Sequence, residues 1–270
     1  MYKAVISDLD GTLLDENHKI TGFTVETVNK VVDKGIKFYI ATGRNYKQAK
    51  TVMDDLGLTI PMIVSNGARV CDRNGEVIYE NKVNKKEVDI IFGIDYAKYG
   101  EDIILNVFSG DDWIIEKGTL EKVKKNHPEL RKIDAIEIEK DKLKDFDILK
   151  FFFVGKHDEL IELEKEILEK TGNNVTIAFV SEVVMEVFNK TANKANAAKF
   201  LLKREGIDIK DTVSFGDGEN DFELLTEMGK GYAMGNAIKR LNDLLPQNFE
   251  RIGKNSDNGE AEKLIELFLK

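Results

Sequence analysis

Two carboxylates stand one residue apart, directly after a short apolar run near the start of the chain. Ala4-Val5-Ile6 has the character of a buried strand, and Asp8-Leu9-Asp10-Gly11-Thr12 follows it closely. Two acids this close repel each other unless a cation lies between them or one of them keeps a proton. The pair therefore indicates a Mg²⁺ site or a nucleophile beside a general acid. A polar turn is the alternative, because Asp-Gly is common in turns.

Three further apolar runs also end in polar residues and glycine. Thr42-Gly43-Arg44 follows residues 36–41, Ser65-Asn66-Gly67 follows residues 61–64, and Gly216-Asp217-Gly218-Glu219-Asn220-Asp221 follows residues 212–215. In an open parallel sheet, ligands bind beyond the carboxyl ends of the strands. We therefore expect these groups to meet the two acids at one edge of the sheet.

Together, the residue types at these strand ends predict a phosphoryl-transfer site. Carboxylate oxygens are the ligands that Mg²⁺ prefers, and they come from Asp8, Asp10 and Asp217. Donors that can surround a phosphate come from Thr42, Asn220, the amide of Gly43 and the ammonium group of Lys194.

A dinucleotide site is the competing interpretation of the last strand end. Gly216-Asp217-Gly218 supplies half of that fingerprint, but Asp221 stands where the third glycine belongs. The acids of this segment would also repel a pyrophosphate unless a metal intervened.

The order of elements predicts an α/β fold with a doubly wound, parallel-sheet (Rossmann-like) core. Strand and helix patterns alternate in both terminal parts of the chain, whereas the middle part mixes hairpin signals with helices. We predict a core made of residues 1–83 and 189–270 and an inserted α+β domain of residues 84–188. The first helix is predicted to have Thr24 as its N-cap.

Composition excludes several functional classes. An excess of 49 acidic over 40 basic residues gives a net charge of −9, which argues against non-specific binding to nucleic acid or anionic membranes. The single cysteine, Cys71, allows no intrachain disulfide. With no leader and no membrane-spanning apolar run, we expect a cytoplasmic protein. His18, His127 and His157 are scattered and receive no catalytic role.

The motifs resemble those of the haloacid dehalogenase-like (HAD) hydrolases, and within them the Cof-type phosphatases with a large α+β cap (type IIB). Asp8-Leu9-Asp10-Gly11-Thr12 is similar to the first family motif, Ala41-Thr42-Gly43-Arg44 to the second, Lys194 to the third, and residues 216–221 to the fourth. Ser65-Asn66-Gly67-Ala68 is a further hallmark of that branch. Ala195 departs from the glycine that relatives often have there. The inserted domain is similar to the cap, which sets substrate specificity.

This resemblance implies a Mg²⁺-dependent phosphatase with an aspartyl-phosphate intermediate. Asp8 is the implied nucleophile, and Asp10 the acid that protonates the leaving group and then activates water. The implied metal ligands are Asp8, Asp10 through its main-chain carbonyl, and Asp217. The implied phosphate-binding residues are Leu9, Thr42, Gly43, Lys194 and Asn220, with Arg44, Asn66 and Asp221 in supporting roles.

The resemblance further implies a small phosphorylated metabolite as the substrate, with a sugar phosphate first and a pyridoxal or flavin phosphate second. One alternative is a phosphotransferase or mutase of the same superfamily. Another is a non-catalytic regulator that binds a sugar phosphate. We expect a monomer or small homo-oligomer with no nucleic-acid or membrane partner.

Overall fold

The computed structural model describes residues 2–126 and 134–270, so His127 lies outside the described residues. The chain forms two compact units. Unit 1 comprises Met1–Glu80 and Asn193–Lys270, and unit 2 comprises Asn81–Ala192. Unit 2 thus interrupts unit 1 in sequence. The boundaries differ by a few residues from those predicted, and the cap role of the middle segment stays a prediction.

The described residues contain thirteen strands. They are β1 (Ala4–Ser7), β2 (Lys37–Ala41), β3 (Met62–Val64), β4 (Arg69–Cys71), β5 (Val77–Glu80), β6 (Ile104–Ser109), β7 (Asp112–Glu116), β8 (Ile136–Ile138), β9 (Lys150–Val154), β10 (Val175–Ser181), β11 (Val184–Asn189), β12 (Thr212–Gly216) and β13 (Lys230–Ala233).

Nine α-helices connect these strands within the same described ranges. They are α1 (Gly22–Asp33), α2 (Tyr46–Leu56), α3 (Lys85–Phe92), α4 (Leu120–Asn126), α5 (His157–Thr171), α6 (Lys194–Glu205), α7 (Phe222–Glu227), α8 (Lys239–Leu244) and α9 (Gly259–Leu264).

Unit 1 is built on a seven-stranded sheet in the order β13-β12-β1-β2-β3-β4-β5. The strands from β13 to β3 are parallel, and β4 and β5 add an antiparallel hairpin. β1 lies at the centre of the five parallel strands, between β2 and β12, so the order of the parallel strands reverses at β1. This reversal is the topological switch point at which open α/β sheets bind their ligands.

Helices cover both faces of this sheet, which explains why β1 is apolar without alternation. Val5 packs with α1 and α2 on one face, whereas Ala4 and Ile6 pack with α6 on the other. All three side chains are fully buried. Together with the mixed architecture of the second unit, this confirms the predicted fold class.

Unit 2 contains a six-stranded sheet in the order β10-β11-β9-β6-β7-β8. Its strands are antiparallel apart from the β7–β8 pair. One face packs on α3 and α5, through residues such as Phe151 and Phe153. From the opposite face of β9 and β11, Lys150 and Glu186 form a buried ion pair.

Two local expectations were wrong or incomplete. Thr21 caps α1, not Thr24, and its side-chain oxygen accepts a hydrogen bond from the Thr24 amide at 3.2 Å. Both threonines fit the capping preference, so the sequence alone does not choose between them. The short elements β8 and α8 were not predicted, because three and six residues carry too little periodicity.

A glycine in the turn after β3 couples that strand end to the start of α6. Gly67 has φ +85°, and a Cβ atom there would lie 2.1 Å from the main-chain oxygen of Asn193. Gly35 has φ +83° with open space around its Cβ position. It therefore serves as a control with the same backbone strain and no steric clash.

We predict that Gly35→Ala lowers the free energy of unfolding by about 1–2 kcal/mol, the cost of a left-handed backbone for a residue with a Cβ. Gly67→Ala should lower it considerably more, because the start of α6 must also move. Urea unfolding of the two variants measures the difference. Equal losses would mean that the contact between Gly67 and Asn193 does not constrain α6.

Candidate active site

The structure brings most of the predicted site residues together at the carboxyl end of the unit 1 sheet. Asp8 follows β1, Thr42 and Gly43 follow β2, Asn66 follows β3, and Asp217 follows β12. Main-chain hydrogen bonds fix these ends to one another: the Asp8 amide donates to Phe215, and the Asn66 amide donates to Thr42. Parallel pairing therefore delivers residues from distant parts of the sequence to one edge.

Lys194 is the centre of the arrangement. It is the first residue of α6 and is 1% exposed. Its Nζ atom donates to Asp8 Oδ1 at 2.6 Å and to Asp221 Oδ1 at 2.6 Å. Asn193 caps the helix by accepting from the Asn196 amide at 2.7 Å, which fixes the start of α6 and hence the root of the lysine side chain.

These ion pairs determine the charge of the buried lysine. Burial lowers the pKa of Lys194, but the charges of Asp221 and Asp8 outweigh burial and raise it above its ordinary value. Lys194 therefore remains an ammonium ion. Burial raises the pKa of Asp8 well above its ordinary value, while Lys194 opposes that rise and Asp221 and Asp217 add to it.

Asp221 connects the lysine to the loop that follows β12. Its Oδ2 atom accepts from the amides of Asp217 and Gly218 at 3.0 and 2.9 Å, while Oδ1 binds Lys194. The side chain is completely buried. Asp221 thus holds the loop that carries Asp217, and it also supplies one of the two carboxylates that pair with Lys194.

The acidic residues also fit a divalent cation. Asp8, Asp217 and Asp221 each offer a carboxylate oxygen, and these oxygens lie within 4.8 Å of one another. Lys194 supplies one positive charge to three carboxylates. Burial, and after it the charge of Asp221, raises the pKa of Asp217 to about 7, so a cation beside Asp217 would stabilise its ionised form. A hard cation such as Mg²⁺ matches this oxygen donor set.

Asp10 lies apart from this cluster, in contact with Arg44 and His18. Arg44 donates to both of its carboxylate oxygens, from Nε at 2.8 Å and from Nη2 at 2.5 Å. His18 Nδ1 lies 3.2 Å from Oδ1. Burial raises the pKa of Asp10, but the hydrogen bonds and charge of Arg44 outweigh burial and leave it below its ordinary value. Asp10 is therefore ionised in this conformation.

Uncharged side chains form a separate set of contacts beside the acidic cluster. Asn220 Nδ2 donates to Asn66 Oδ1 at 2.9 Å, and that oxygen lies against Gly43, 3.0 Å from where a Cβ atom would stand. Thr42 Oγ1 accepts from the Arg44 amide at 3.1 Å. Leu9, also among the predicted phosphate-binding residues, is buried next to Asp8. The asparagine pair thus links the ends of β3 and β12.

Several residues near the site were missed by the sequence interpretation. His18 was given no role, yet its side chain contacts Asp10. His18 lies in a loop and has φ +56°. Thr12 belongs to the first motif and donates to Asp217 Oδ1 at 2.9 Å. Ser7 and Glu260 are buried behind Asp8 and joined to each other. The position of Thr12 within the first motif could have indicated its place in the site, whereas the sequence around Glu260 gives no such indication.

Comparison with known proteins places this α/β fold and its acidic, lysine-containing site in a family. The model of the haloacid dehalogenase-like hydrolases matches residues 5–264, and the chain belongs to this family. The predicted resemblance is thereby confirmed, as is the predicted enzyme class, since the family and the names of relatives support a phosphatase activity.

Relatives match the chain over nearly its whole length. A protein of Buchnera aphidicola subsp. Baizongia pistaciae, provisionally named a phosphatase, is 34% identical over 277 residues and all of both chains. The HMP-PP phosphatase of Yersinia pestis (strain Pestoides F) is 30% identical, covering 98% of this chain and 94% of that protein. A solved HAD subclass IIB sugar phosphatase has TM-score 0.82 at 23% identity, covering 98% of each chain, and supports the fold.

Among the helices of residues 2–126 and 134–270, none combines the length and the apolar character needed to span a membrane.

The two ion pairs of Lys194 predict a large effect of removing its charge. Lys194→Met should lower the free energy of unfolding by about 3–5 kcal/mol, because Asp8 and Asp221 would remain buried without their cation. Lys199→Met is the matched control on the same helix, since Lys199 pairs with Glu227 at the exposed surface. It should cost at most about 1 kcal/mol. Urea unfolding without added metal measures both, and similar losses would contradict the central position of Lys194.

Proposed function

We propose that the protein is a Mg²⁺-dependent phosphatase that hydrolyses a small phosphorylated metabolite through an aspartyl-phosphate on Asp8. One observation carries this proposal: Lys194 is held between Asp8 and Asp221, beside Asp217, at the switch point of the sheet. The charge of Lys194 favours the ionised form of Asp8 and supplies the positive charge that a phosphate needs. Family membership gives the reaction class.

In the first step, an Asp8 carboxylate oxygen attacks the phosphorus atom and the bond to the leaving oxygen breaks. The amide of Asp8 donates to Phe215, so the main chain that carries the nucleophile is anchored on β12. The contact of Lys194 with Asp8 keeps the carboxylate oriented. Its ammonium group also stabilises negative charge on the transferred phosphoryl group.

Asp10 is the proposed acid and base. It gives a proton to the leaving alkoxide, and its carboxylate then takes a proton from the water that hydrolyses the intermediate. In the structure Asp10 is an ion bound by Arg44. It must therefore leave Arg44 and take up a proton before the first step, which makes Arg44 a residue that holds Asp10 between turnovers.

Asp8 and Asp217, with the main-chain carbonyl of Asp10, are the proposed metal ligands, and the carboxylate of Asp221 faces the same position. When bound, Mg²⁺ supplies positive charge that reduces the repulsion between Asp8 and the incoming phosphate. The proposed phosphate contacts are the amides of Leu9 and Gly43 and the side chains of Thr42, Lys194 and Asn220. Asn66 supports Asn220 through their hydrogen bond.

We assign substrate selection to unit 2, the proposed cap. On the face of its sheet opposite α3 and α5, the buried ion pair of Lys150 and Glu186 lies next to Phe108. Charged and aromatic groups on one face suit a polar metabolite with a ring. A sugar phosphate is the first candidate, a pyridoxal or flavin phosphate the second, and the HMP-PP named for a relative belongs in the same panel.

The buried single cysteine suits a reducing compartment, and we propose a cytoplasmic enzyme that is a monomer or small homo-oligomer. A phosphotransferase or mutase would differ in needing a second hydroxyl substrate as the acceptor. A non-catalytic regulator would bind the metabolite and release no phosphate.

Substitution of the two acids of the first motif separates their roles. Asp8→Asn should reduce phosphate release to the uncatalysed background, because an amide is a poor nucleophile and cannot form the intermediate. Asp10→Asn should lower kcat by about 10²–10⁴-fold, the usual contribution of a general acid or base. Asp54→Asn, at an exposed acid of α2, is the control and should leave kcat unchanged. Near-normal turnover by Asp8→Asn would exclude Asp8 as the nucleophile.

Removal of the metal ion tests the cofactor. We expect phosphate release from the substrate panel to stop in chelator and to return with Mg²⁺, since three carboxylates otherwise repel an anionic substrate. Colorimetric phosphate assays on hexose phosphates, pyridoxal phosphate, flavin mononucleotide and HMP-PP give the readout. Full activity in chelator would contradict the proposed metal requirement. Consumption of the substrate only with an added acceptor alcohol, with the phosphoryl group recovered on that alcohol and no inorganic phosphate released, would favour the phosphotransferase.

A further inference from the structure

A buried carboxyl group stands behind the proposed nucleophile. Glu260, in α9, is 1% exposed, and its Oε2 atom lies 2.7 Å from Ser7 Oγ. Ser7 Oγ lies 2.7 Å from the main-chain oxygen of Asp8. Ser7 itself is completely buried at the end of β1. A continuous path of short contacts therefore runs from Glu260 through Ser7 to the peptide group of Asp8.

Counting protons along this path fixes the form of Glu260. The Ser7 hydroxyl has one proton, and the carbonyl oxygen of Asp8 can only accept. If Glu260 were ionised, Ser7 would face two acceptors with a single proton, and one short oxygen–oxygen contact would be repulsive. If Glu260 carries the proton on Oε2, it donates to Ser7, and Ser7 donates to Asp8. The neutral acid alone satisfies both contacts.

The surroundings of Glu260 also favour the neutral acid. Its second oxygen, Oε1, is buried and has no hydrogen-bond partner among the described residues. A lone acceptor is far less costly on a neutral acid than on a carboxylate. Burial raises the pKa of Glu260 to about 8, opposed by the hydrogen bond that Ser7 would donate to the ionised form.

Charged groups on the neighbouring elements do not contribute to this shift. The elements packed against α9 are α1, the segment after β1, the turn before α9 and the C-terminal segment. Their charged residues include Asp10, Glu26, Lys30, Asp33, Lys34, Lys254, Asp257 and Glu266. Within the described part of the chain, burial and Ser7 are the causes that act on the Glu260 carboxyl group.

We propose that Glu260 is a positioning residue that acts as a neutral carboxylic acid: it donates to Ser7 and thereby makes the Ser7 hydroxyl donate to the carbonyl oxygen of Asp8. The proposal rests on the proposed function, in which Asp8 is the nucleophile. With its amide bonded to Phe215 and its carbonyl bonded to Ser7, Asp8 is held on both sides. If Glu260 were ionised, the Ser7 hydroxyl would donate to its carboxylate instead, and the carbonyl oxygen of Asp8 would lose its hydrogen bond.

The conservative variant Glu260→Gln separates this role from simple packing. Its amide N–H donates to Ser7 as the neutral acid does but cannot ionise, so kcat should match wild type at neutral pH. Between about pH 8 and about pH 10, wild-type kcat should fall up to about tenfold below that of Glu260→Gln, the rate equivalent of one hydrogen bond. KM should change little, because Glu260 does not touch the substrate.

Ser7→Ala is the matched control. It removes the intermediate hydroxyl, so it should lower kcat by about tenfold, and the Ser7→Ala and Ser7→Ala/Glu260→Gln variants should have the same pH profile. Coincident wild-type and Glu260→Gln profiles would overturn the proposal. A difference between the pH profiles of Ser7→Ala and Ser7→Ala/Glu260→Gln would overturn it as well.

A readout without turnover keeps this test independent of the phosphatase assignment. The ¹³C NMR signal of the Asp8 main-chain carbonyl should shift with pH near the Glu260 ionisation in wild type and not in Glu260→Gln. Stability gives a second readout. Because the folded pKa is raised above the unfolded value of about 4.3, the folded state binds one more proton up to about pH 8, and wild-type stability should decrease relative to Glu260→Gln as pH rises through that window.

A carbonyl signal that ignores Glu260 would refute the positioning role even if the enzyme is an active phosphatase. Conversely, absence of phosphatase activity alongside a pH-dependent carbonyl signal would refute the proposed function and leave the link from Glu260 to Asp8 standing.

Discussion

The structure of the site depends on one buried cation among acids. Lys194 holds Asp8 and Asp221 at 2.6 Å each, and Asp217 lies in the same cluster. Burying charges is costly unless they are paired, so these residues are fixed in relation to each other. The single ammonium group does not neutralise three carboxylates. The remaining negative charge is what makes the cluster suited to a divalent cation and, with it, to a phosphate group.

The fold meets this constraint by bringing distant segments to one edge of a sheet. Parallel pairing of β1 with β2 and β12 places their carboxyl ends side by side, and the cap of α6 fixes the first helical residue, Lys194. A buried layer lies behind them. There the Asp8 peptide is held by Phe215 and Ser7, and Glu260 completes the path. The proposed nucleophile is thus supported from its side chain and from its main chain.

Much of this arrangement could be predicted because strand ends and motifs are local signals. Asp8, Asp10, Asp217 and Lys194 each follow a recognisable strand or open a helix, and the fold class follows from the βα rhythm. The partner of each side chain was harder to predict. The pairing of Asp10 with Arg44, which leaves it ionised, depends on loop geometry rather than on spacing.

The buried position of Glu260 was the hardest feature to predict from the sequence. A glutamate on a short C-terminal helix is normally a solvated residue, and only the tertiary packing of α9 buries it behind β1.

The central claim, that Asp8 carries the phosphoryl group, is tested most directly by locating a phosphoenzyme. The enzyme is mixed with a turned-over substrate and Mg²⁺, quenched in acid within the first turnover, digested, and the modified peptide is sequenced by mass spectrometry. One phosphoryl group on Asp8 is the expected result. A phosphoryl group on any other residue, or steady hydrolysis with no phosphoenzyme at any quench time, would contradict it.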